Sequence, residues 1–284
     1  MNTPRRHHFV PRFYLEGFCA EDARGLAIYD RVRRAYRAQR TTEVAHRRDY
    51  YAYEDEQGNL VFEIEAALGQ VEAAASETIQ RVDNGEQLTA DDKMALATYA
   101  AFQFTRTPAY AAWLEAFREQ WEAAGARREQ LDALPEMPNP VADRREALGA
   151  MLRHAPRFAE VFLRMNWTLW ARESERSSFV TTDSPVSVVW DQRPEANAYA
   201  GAGILSPDVI TVLPLSQASG LAMSGIGERV DRRPLTRDQV RRVNLAVVSQ
   251  AQHFVFGRDM TLVENLVRTT GIDRRPWQPP LRVD

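Results

Sequence analysis

Apolar residues at helical spacing mark the stretch after the first sixty positions. The pattern predicts a helix that begins near Phe62 and buries Ile64, Leu68, Val71, Ala75 and Ile79. Gly85 ends this helix, and Thr89 followed by Asp92 is typical of the start of another, which we expect to run through Trp113. The connection is short, so the two helices should form an antiparallel hairpin. A further helix is expected in DRREALGAMLRHAPRFAEVFLRM, kinked or split at Pro156.

Alternating segments rich in β-branched and aromatic residues predict strands on both sides of these helices. They are GLAIYDR and AYRAQRTTEVAHRRDYYAY before the helices, and WTLWARE, FVTTDSPVSVVW, VITVLPL, GLAMSG and HFVFG after them. Helices are expected over residues 236–250 and in DMTLVENLVR. This order predicts an α+β fold, in which an antiparallel sheet of N- and C-terminal strands packs on the helical hairpin and the further helices. We expect one domain over residues 1–284, with an internal sub-boundary near the proline-rich residues 133–141.

Composition narrows the class of protein. Of the 284 residues, 44% are hydrophobic and 26% are charged, which is typical of a soluble globular protein. We find no apolar run long enough to span a bilayer and no apolar core of a secretory signal near the N-terminus. The single cysteine, Cys19, excludes an internal disulfide framework and a cysteine-rich zinc site, and it favours a cytoplasmic location.

Charge is distributed unevenly along the chain. Residues 1–48 hold eleven arginines and five acids, whereas residues 49–99 hold two basic residues and twelve acids. This division indicates a phosphate-facing edge beside a carboxylate-lined one. Lys93 is the only lysine, so arginine supplies nearly every positive charge. The basic stretch RVRRAYRAQR therefore fits a solvated strand face as well as a phosphate contact.

Two carboxylates of the first long helix are candidates for chemistry. Glu65 and Glu72 are seven residues apart, so they project from one face of the helix, close to the apolar Leu68 and Val71. A carboxylate near an apolar face must be paired, protonated or bound to a metal. The alternative is a solvated helix face, because glutamate is a good helix former.

A glutamine and an arginine share a face of the following helix. Gln103 and Arg106 are three positions apart, among aromatic and small residues. Arg106 has the geometry to hold a carboxylate or a phosphate with two hydrogen bonds. Pairing with Glu65 or Glu72 across the hairpin is an equally good interpretation, since a buried charge is retained only with a partner.

A third candidate lies between two predicted strands. Asp183 stands where an apolar strand stops, before Ser184 and Pro185. Loops at strand ends commonly present catalytic carboxylates on a rigid base. In the alternative interpretation Asp183 forms an Asx-turn and caps its own backbone.

The segment HHFVPRFYLEGF, residues 7–18, is apolar enough to be buried, although it contains His7, His8 and Arg12. Imidazole titrates near neutrality, so one of the adjacent histidines is a candidate metal ligand or general base. We favour His8, because it lies closer to the apolar residues; the alternative is a hydrogen-bonded core histidine. Arg12, between Pro11 and Phe13, would be held rigidly enough to orient a substrate. We find no nucleotide-binding glycine-rich loop and no Gly-x-Ser-x-Gly elbow.

Five motifs taken together resemble a large bacterial family, domain-of-unknown-function family 4238. They are HHFVPRFYLEGF, FEIEAALGQVE, QFTRTP, FVTTDSPV and VLPLS, in this order over nearly the whole chain. The resemblance implies a single domain and adds no reaction. Its motif positions in this chain are His8, Pro11, Glu65, Glu72, Arg106, Asp183 and Pro185. The resemblance implies that these scattered polar residues belong to one pattern and converge on a site.

The leading hypothesis is a metal-dependent hydrolase that acts on a phosphodiester, most concretely a nuclease. In it, the catalytic and metal-binding residues are His8, Glu65, Glu72 and Asp183. Mg²⁺ or Mn²⁺ is the expected metal, and Arg12, Gln103 and Arg106 would bind the anionic substrate, with nucleic acid as the candidate partner. Two alternatives stay open. One is a non-catalytic binding or interaction protein with a buried Glu-Arg-Asp-His network, and the other is a metal-dependent enzyme acting on a small metabolite.

Overall fold

The computed structural model of the chain describes residues 6–20, 25–54, 57, 60–123, 125, 127, 144–190, 204–205 and 208–277. The helices in this part of the chain are α1 (Arg12–Glu16), α2 (Glu63–Asp83), α3 (Ala90–Thr105), α4 (Pro108–Ala123), α5 (Arg144–Leu163), α6 (Arg237–Ser249) and α7 (Met260–Thr270). The strands are β1 (Arg6–His8), β2 (Leu26–Asp30), β3 (Ala35–Gln39), β4 (His46–Arg48), β5 (Tyr53–Glu54), β6 (Leu60–Val61), β7 (Met165–Arg172), β8 (Thr181–Thr182), β9 (Ser187–Trp190), β10 (Val209–Pro214), β11 (Ser219–Ile226), β12 (Val230–Leu235) and β13 (Phe254–Gly257).

Two larger sheets are built from these strands. The five-stranded sheet has the order β12-β7-β11-β10-β9 and is antiparallel except for the β12–β7 pair. The four-stranded sheet has the order β3-β2-β13-β8, so β2 and β3 from the first forty residues pair with β13 near the other end. These pairings confirm the predicted α+β fold with antiparallel sheets of N- and C-terminal strands. Two short ribbons, β1–β4 and β5–β6, complete the β structure of the described residues.

The two central helices begin and end where local chemistry requires. Helix α2 buries the apolar stripe that the spacing predicts, including Leu68, Ala75 and Ile79. Helix α3 begins with a capping box, in which the Asp92 N–H donates to Thr89 Oγ1 at 3.1 Å and the Thr89 N–H donates to Asp92 Oδ2 at 2.9 Å. Helix α3 packs against both α2 and α5, so it lies at the centre of the helical part.

The prediction that one helix runs from Thr89 through Trp113 is wrong. Helix α3 ends at Thr105, and α4 begins at Pro108. Proline has no N–H to continue the ladder of the preceding helix, but it is well suited to a first turn. Thr107 completes the change of direction, because its Oγ1 accepts the N–H of Tyr110 at 3.3 Å. Helix α5, in contrast, continues through Pro156 without being split.

The opening segment enters the main core. Phe9, Val10, Tyr14, Leu15 and Phe18 are all at most 3% exposed and belong to the same apolar cluster as the α3 and β7 residues. The predicted sub-boundary at 133–141 lies outside the described residues. Among the helices that the structure describes, none is both long and apolar enough to cross a membrane.

Candidate functional site

The β1–β4 ribbon determines which way the two adjacent histidines point. Its cross-strand pairs are Arg6 with Arg48, His7 with Arg47, and His8 with His46. Directly opposite side chains of an antiparallel pair lie on one face, and successive ones alternate between faces. His7 therefore lies on an inner face of the ribbon, where it is fully buried. Arg6, His8, His46 and Arg48 share the opposite face, which we call the outer face.

His7 is held by hydrogen bonds at both ring nitrogens. Its Nδ1 accepts the backbone N–H of Tyr51 at 2.9 Å, and its Nε2 lies 3.0 Å from Oε2 of Glu65. Because Nδ1 accepts a hydrogen bond, Nε2 carries the proton and donates to the carboxylate. The Tyr51 ring stacks on the imidazole with 5.8 Å between centroids. Burial raises the pKa of Glu65; His7 opposes this shift and the neighbouring Glu72 adds to it.

Arg106 forms the second ion pair, immediately beside the first. Its NH1 donates to Oε1 of Glu72 at 2.7 Å, and its side chain is 1% exposed. Nε of Arg106 donates to Oε1 of Gln103 at 3.2 Å, and NH2 donates to the same oxygen. The amide nitrogen of Gln103 then donates to the carbonyl of Phe9 at 3.0 Å. This chain of contacts links α2 and α3 to the backbone of the opening segment.

Together these contacts form one network, which we call the N-terminal network. Its members are His7, Tyr51, Glu65, Glu72, Gln103 and Arg106. Two tyrosine hydroxyls extend it, since Tyr50 donates to the Arg106 carbonyl at 3.1 Å and Tyr51 donates to the His8 carbonyl at 3.2 Å. The network therefore fastens β1 and the following residues to the helical hairpin from several directions.

Asp183 is buried in a different environment. Its carboxylate accepts three backbone N–H groups, from Gln252 at 3.0 Å, His253 at 2.8 Å and Phe254 at 3.2 Å. Burial raises the pKa of Asp183, and the charge of His253 and the three N–H donors oppose that shift. All of its hydrogen bonds go to the backbone that leads into β13. Asp183 thus caps a distant backbone segment instead of its own, and none of these contacts joins it to Glu65 or Glu72.

His8 and Arg12 also lie apart from the two ion pairs. The His8 ring contacts that of His46 with 5.4 Å between centroids, on the outer face. Burial, together with the smaller effects of the neighbouring His46 and Arg12, lowers the pKa of His8 to about 4. Arg12 is 55% exposed, and its NH2 lies 3.3 Å from Oε1 of Glu16. Of the residues expected to converge, the structure brings together Glu65, Glu72, Gln103 and Arg106.

The surroundings of the network leave little enclosed space. A cavity of about 40 Å³ borders it, lined by residues that include Tyr50, Tyr51, Arg106 and Tyr110. A pocket for a small organic ligand is roughly 300–1,000 Å³, so this cavity has room for a few water molecules only. Within the described part of the chain, no group of three or more His, Cys, Asp or Glu side chains is arranged to hold a metal ion.

Sequence reasoning weighed both adjacent histidines and favoured His8 over His7, and it missed Tyr51 as a member of the site. His7 contacts Glu65 directly, and Tyr51 donates its backbone N–H to the His7 ring. The available signal was the alternation along β1, which requires that only one of two adjacent histidines points inward. Which histidine points inward depends on how β1 pairs with β4 and packs on the helices. The local sequence does not specify that pairing.

A comparison with models of protein families finds a match over most of the chain. The family described as "Protein of unknown function (DUF4238)" matches residues 6–261 of the 284. The chain belongs to this family. The matched range contains every member of the N-terminal network and Asp183, and it confirms the resemblance inferred from the motifs. None of the curated proteins or solved structures compared with the chain matches it.

Proposed function

We propose that this chain is a non-catalytic binding protein, in which the N-terminal network holds the β1–β4 ribbon in place for contact with a partner. One observation supports this proposal. Each carboxylate that the sequence nominates as a metal ligand is already engaged by a protein group: Glu65 by His7, Glu72 by Arg106, and Asp183 by three backbone N–H groups. Such contacts are what buried carboxylates need for a structural role.

The difference in exposure between the two partners of each ion pair favours the same proposal. The cationic or donor partner lies deeper in each ion pair, because His7 is 0% and Arg106 is 1% exposed while Glu65 is 35% and Glu72 is 27% exposed. Arg106 gives three of its five N–H groups to Glu72 and Gln103, and its side chain is 1% exposed, so a substrate has little access to it. Gln103 and Arg106, two of the three residues nominated for substrate binding, therefore act on the protein itself.

The test is an incubation of the purified chain with plasmid, single-stranded DNA and structured RNA, in Mg²⁺, in Mn²⁺ and in chelator. We expect no metal-dependent cleavage and no rise of the melting temperature with either metal. The Glu65→Gln variant serves as the matched control, because a glutamine oxygen can still accept the His7 hydrogen bond while the negative charge is removed. Cleavage by the wild type that disappears in Glu65→Gln would overturn the proposal.

A second candidate is the metal-dependent phosphodiester hydrolase, a nuclease. It is favoured by one specific arrangement: Glu65 and Glu72 are close enough to raise the pKa of Glu65, and Oε1 of Glu65 and Oε2 of Glu72 are not used in the two ion pairs. Mg²⁺ commonly takes one or two protein carboxylates and completes its shell with water and substrate phosphate. The metal would then polarise the phosphate and generate hydroxide. The same incubation decides between the two candidates.

A further inference from the structure

The outer face of the β1–β4 ribbon concentrates positive charge. Arg6 stands directly opposite Arg48, and His8 stands opposite His46. Opposite side chains have Cβ atoms roughly 4.5–5.5 Å apart, and like charges in this position destabilise a strand pair. Oδ2 of Asp49 lies 3.4 Å from Nε of Arg48, whereas Arg6 forms no ion pair with any residue that the structure describes. Asp49 thus offsets the charge of Arg48, whereas Arg6 adds positive charge at the same position, so negative charge from a bound partner would make the arrangement more favourable.

The two histidines of the outer face offer further hydrogen-bonding capacity. Nε2 of His8 is buried and has no hydrogen-bond partner in the part of the chain that the structure describes. A buried polar atom without a partner is uncommon in proteins, so Nε2 of His8 is available for a hydrogen bond to a bound group. The groups that face this ring are His46, Arg12 and the backbone of Thr41 and Thr42.

The N-terminal network keeps this face rigid. His7, on the inner face of the same three-residue strand, is hydrogen-bonded to Glu65 and to Tyr51. Arg47, its cross-strand partner, lies over the Tyr50 ring at 5.7 Å from the centroid. A site whose supporting side chains are already fixed loses less conformational freedom when a ligand binds.

An open groove lies near the outer face. Its volume is about 540 Å³, and it is lined by residues that include Arg40, Glu43, Arg258 and Asp259. The backbone of Glu43 also contacts His46, so the groove starts beside the histidine pair.

We infer that the outer face of the β1–β4 ribbon binds the phosphodiester backbone of a nucleic acid, through Arg6, Arg48 and the His8–His46 pair. This inference rests on the proposed binding function and names its partner. Arginine matches the geometry of phosphate oxygens and holds them with paired, charge-assisted hydrogen bonds. Residues two apart on a strand are separated by roughly 6.7 Å, so the arginine pair and the histidine pair are placed to contact neighbouring phosphates.

The ribbon is better suited to a polynucleotide backbone than to reading base edges or to a lipid surface. Its inner face packs on the protein, so the ribbon cannot enter a DNA groove as a free two-stranded reader does. Binding at a lipid surface requires apolar side chains that enter the bilayer, and the four residues of the outer face are arginines and histidines. We therefore expect affinity that depends on salt and not on base sequence.

The experiment measures binding of fluorescently labelled single-stranded oligonucleotides of two unrelated sequences, by anisotropy, in chelator. The variant is Arg6→Ala/Arg48→Ala, which removes two exposed side chains of the outer face. For single strands each phosphate contact contributes about 0.7 to the slope of log affinity against log salt, so the slope should become shallower by about 1.4. The wild type should then lose about sevenfold more affinity than the variant between 50 and 200 mM salt.

The matched control is Arg229→Ala/Arg233→Ala, which removes the same charge from two exposed arginines next to and within β12. We expect its salt slope to equal that of the wild type, and thermal melts should show that both variants are folded. Equal salt slopes in the wild type and the outer-face variant would overturn the inference. It would also be overturned if the control variant's slope became shallower by as much as that of the outer-face variant. Binding to vesicles of anionic lipid in place of the oligonucleotides would also overturn it, in favour of a membrane partner.

The failure of this inference is distinguishable from the failure of the proposed function. Binding is measured in chelator, where a divalent-metal reaction does not proceed, whereas the proposed function is tested by cleavage in Mg²⁺ or Mn²⁺. One possible result is cleavage by the wild type together with the expected shallower salt slope in Arg6→Ala/Arg48→Ala. That result would retain the phosphate site and overturn the non-catalytic proposal. Absence of cleavage together with unchanged slopes would do the opposite.

Discussion

Removal of the Glu72 carboxylate is the sharpest test of the N-terminal network. In the Glu72→Ala variant, Arg106 keeps its contacts with Gln103 but loses the carboxylate that lies 2.7 Å from NH1. The guanidinium is 1% exposed, so solvent cannot take the place of the lost partner without rearrangement. An unpaired buried charge is the expected result, and it should weaken the attachment of the opening segment that Gln103 holds through Phe9.

The expected loss of stability follows from the exposed fractions of the Arg106 and Glu72 side chains. Removing one partner of a fully buried ion pair costs about 3–5 kcal/mol. Glu72 itself is 27% exposed, so water can approach the space it leaves, and Gln103 still accepts two N–H groups from Arg106. We therefore expect the free energy of unfolding to fall by about 2–3 kcal/mol. For a chain of 284 residues that corresponds to a melting temperature lower by roughly 3–5 °C.

The assay is thermal and urea unfolding of the wild type, Glu72→Ala, Glu72→Gln and Glu77→Ala. Glu77→Ala is the matched control, because it removes an exposed glutamate from the same helix and should leave the midpoint unchanged. Glu72→Gln retains an acceptor for Arg106 and should cost about half as much as Glu72→Ala. The reasoning is refuted if Glu72→Ala melts with the control or above it, since a carboxylate kept for catalysis often costs nothing to remove.

Three further outcomes are expected. Asp183→Asn places an amide donor against backbone N–H donors, so the free energy of unfolding should fall by about 2–4 kcal/mol in urea; an unchanged midpoint would contradict the capping role. His7→Phe should speed amide exchange across β1–β4, whereas a rate equal to that of the wild type would show that Glu65 does not hold the ribbon. His8 has a folded pKa of about 4 and an unfolded value of 6.5, so the unfolded chain binds more protons between these values. The free energy of unfolding should therefore fall as the pH drops from about 6.5 to about 4. The loss should be about 1–2 kcal/mol, because solvent screens this partly exposed ring. In melts at several pH values, His8→Gln should remove this part of the pH dependence.

Local sequence signals were sufficient for the buried face of α2 and the start of α3, and they left Glu65 and Glu72 as alternative partners of Arg106. The spacing of Leu68, Ala75 and Ile79 predicts the buried stripe of α2, and Thr89 with Asp92 predicts the capping box of α3. Arg106 and Glu72 were also recognisable as possible partners, because each shares a helix face with other polar residues and a short connection makes the two helices neighbours. The stripe and the capping box each depend on residues within a turn or two of one another, whereas Glu72 and Arg106 are 34 positions apart and meet only because the two helices are neighbours.

The break between α3 and α4 shows where local reasoning was incomplete. Pro108 and the preceding Thr107 are visible in the sequence, yet the apolar period runs on into Trp113 and predicts a single helix. The missing N–H of proline outweighs the period, since it removes a hydrogen bond at the point where the helix would continue.

The identity of the inward-facing histidine depended on tertiary structure. His7 faces Glu65 and His8 faces outward because β1 pairs in one register with β4, about forty residues away along the chain. A shift of one residue would exchange the two histidines between faces. The partners of Asp183 lie even farther away, at 252–254, and no pattern around FVTTDSPV specifies them.

The sequence by itself thus determined the buried face of α2, the N-terminal cap of α3, the fold class and the set of polar residues in the family motifs. Tertiary structure decided which of those residues meet: Glu65, Glu72, Gln103 and Arg106 with His7, while Asp183, His8 and Arg12 lie elsewhere. The physical reason is that helical periodicity and capping come from hydrogen bonds within one turn of backbone. Sheet register and ion pairs between distant segments depend on the packing of the whole chain.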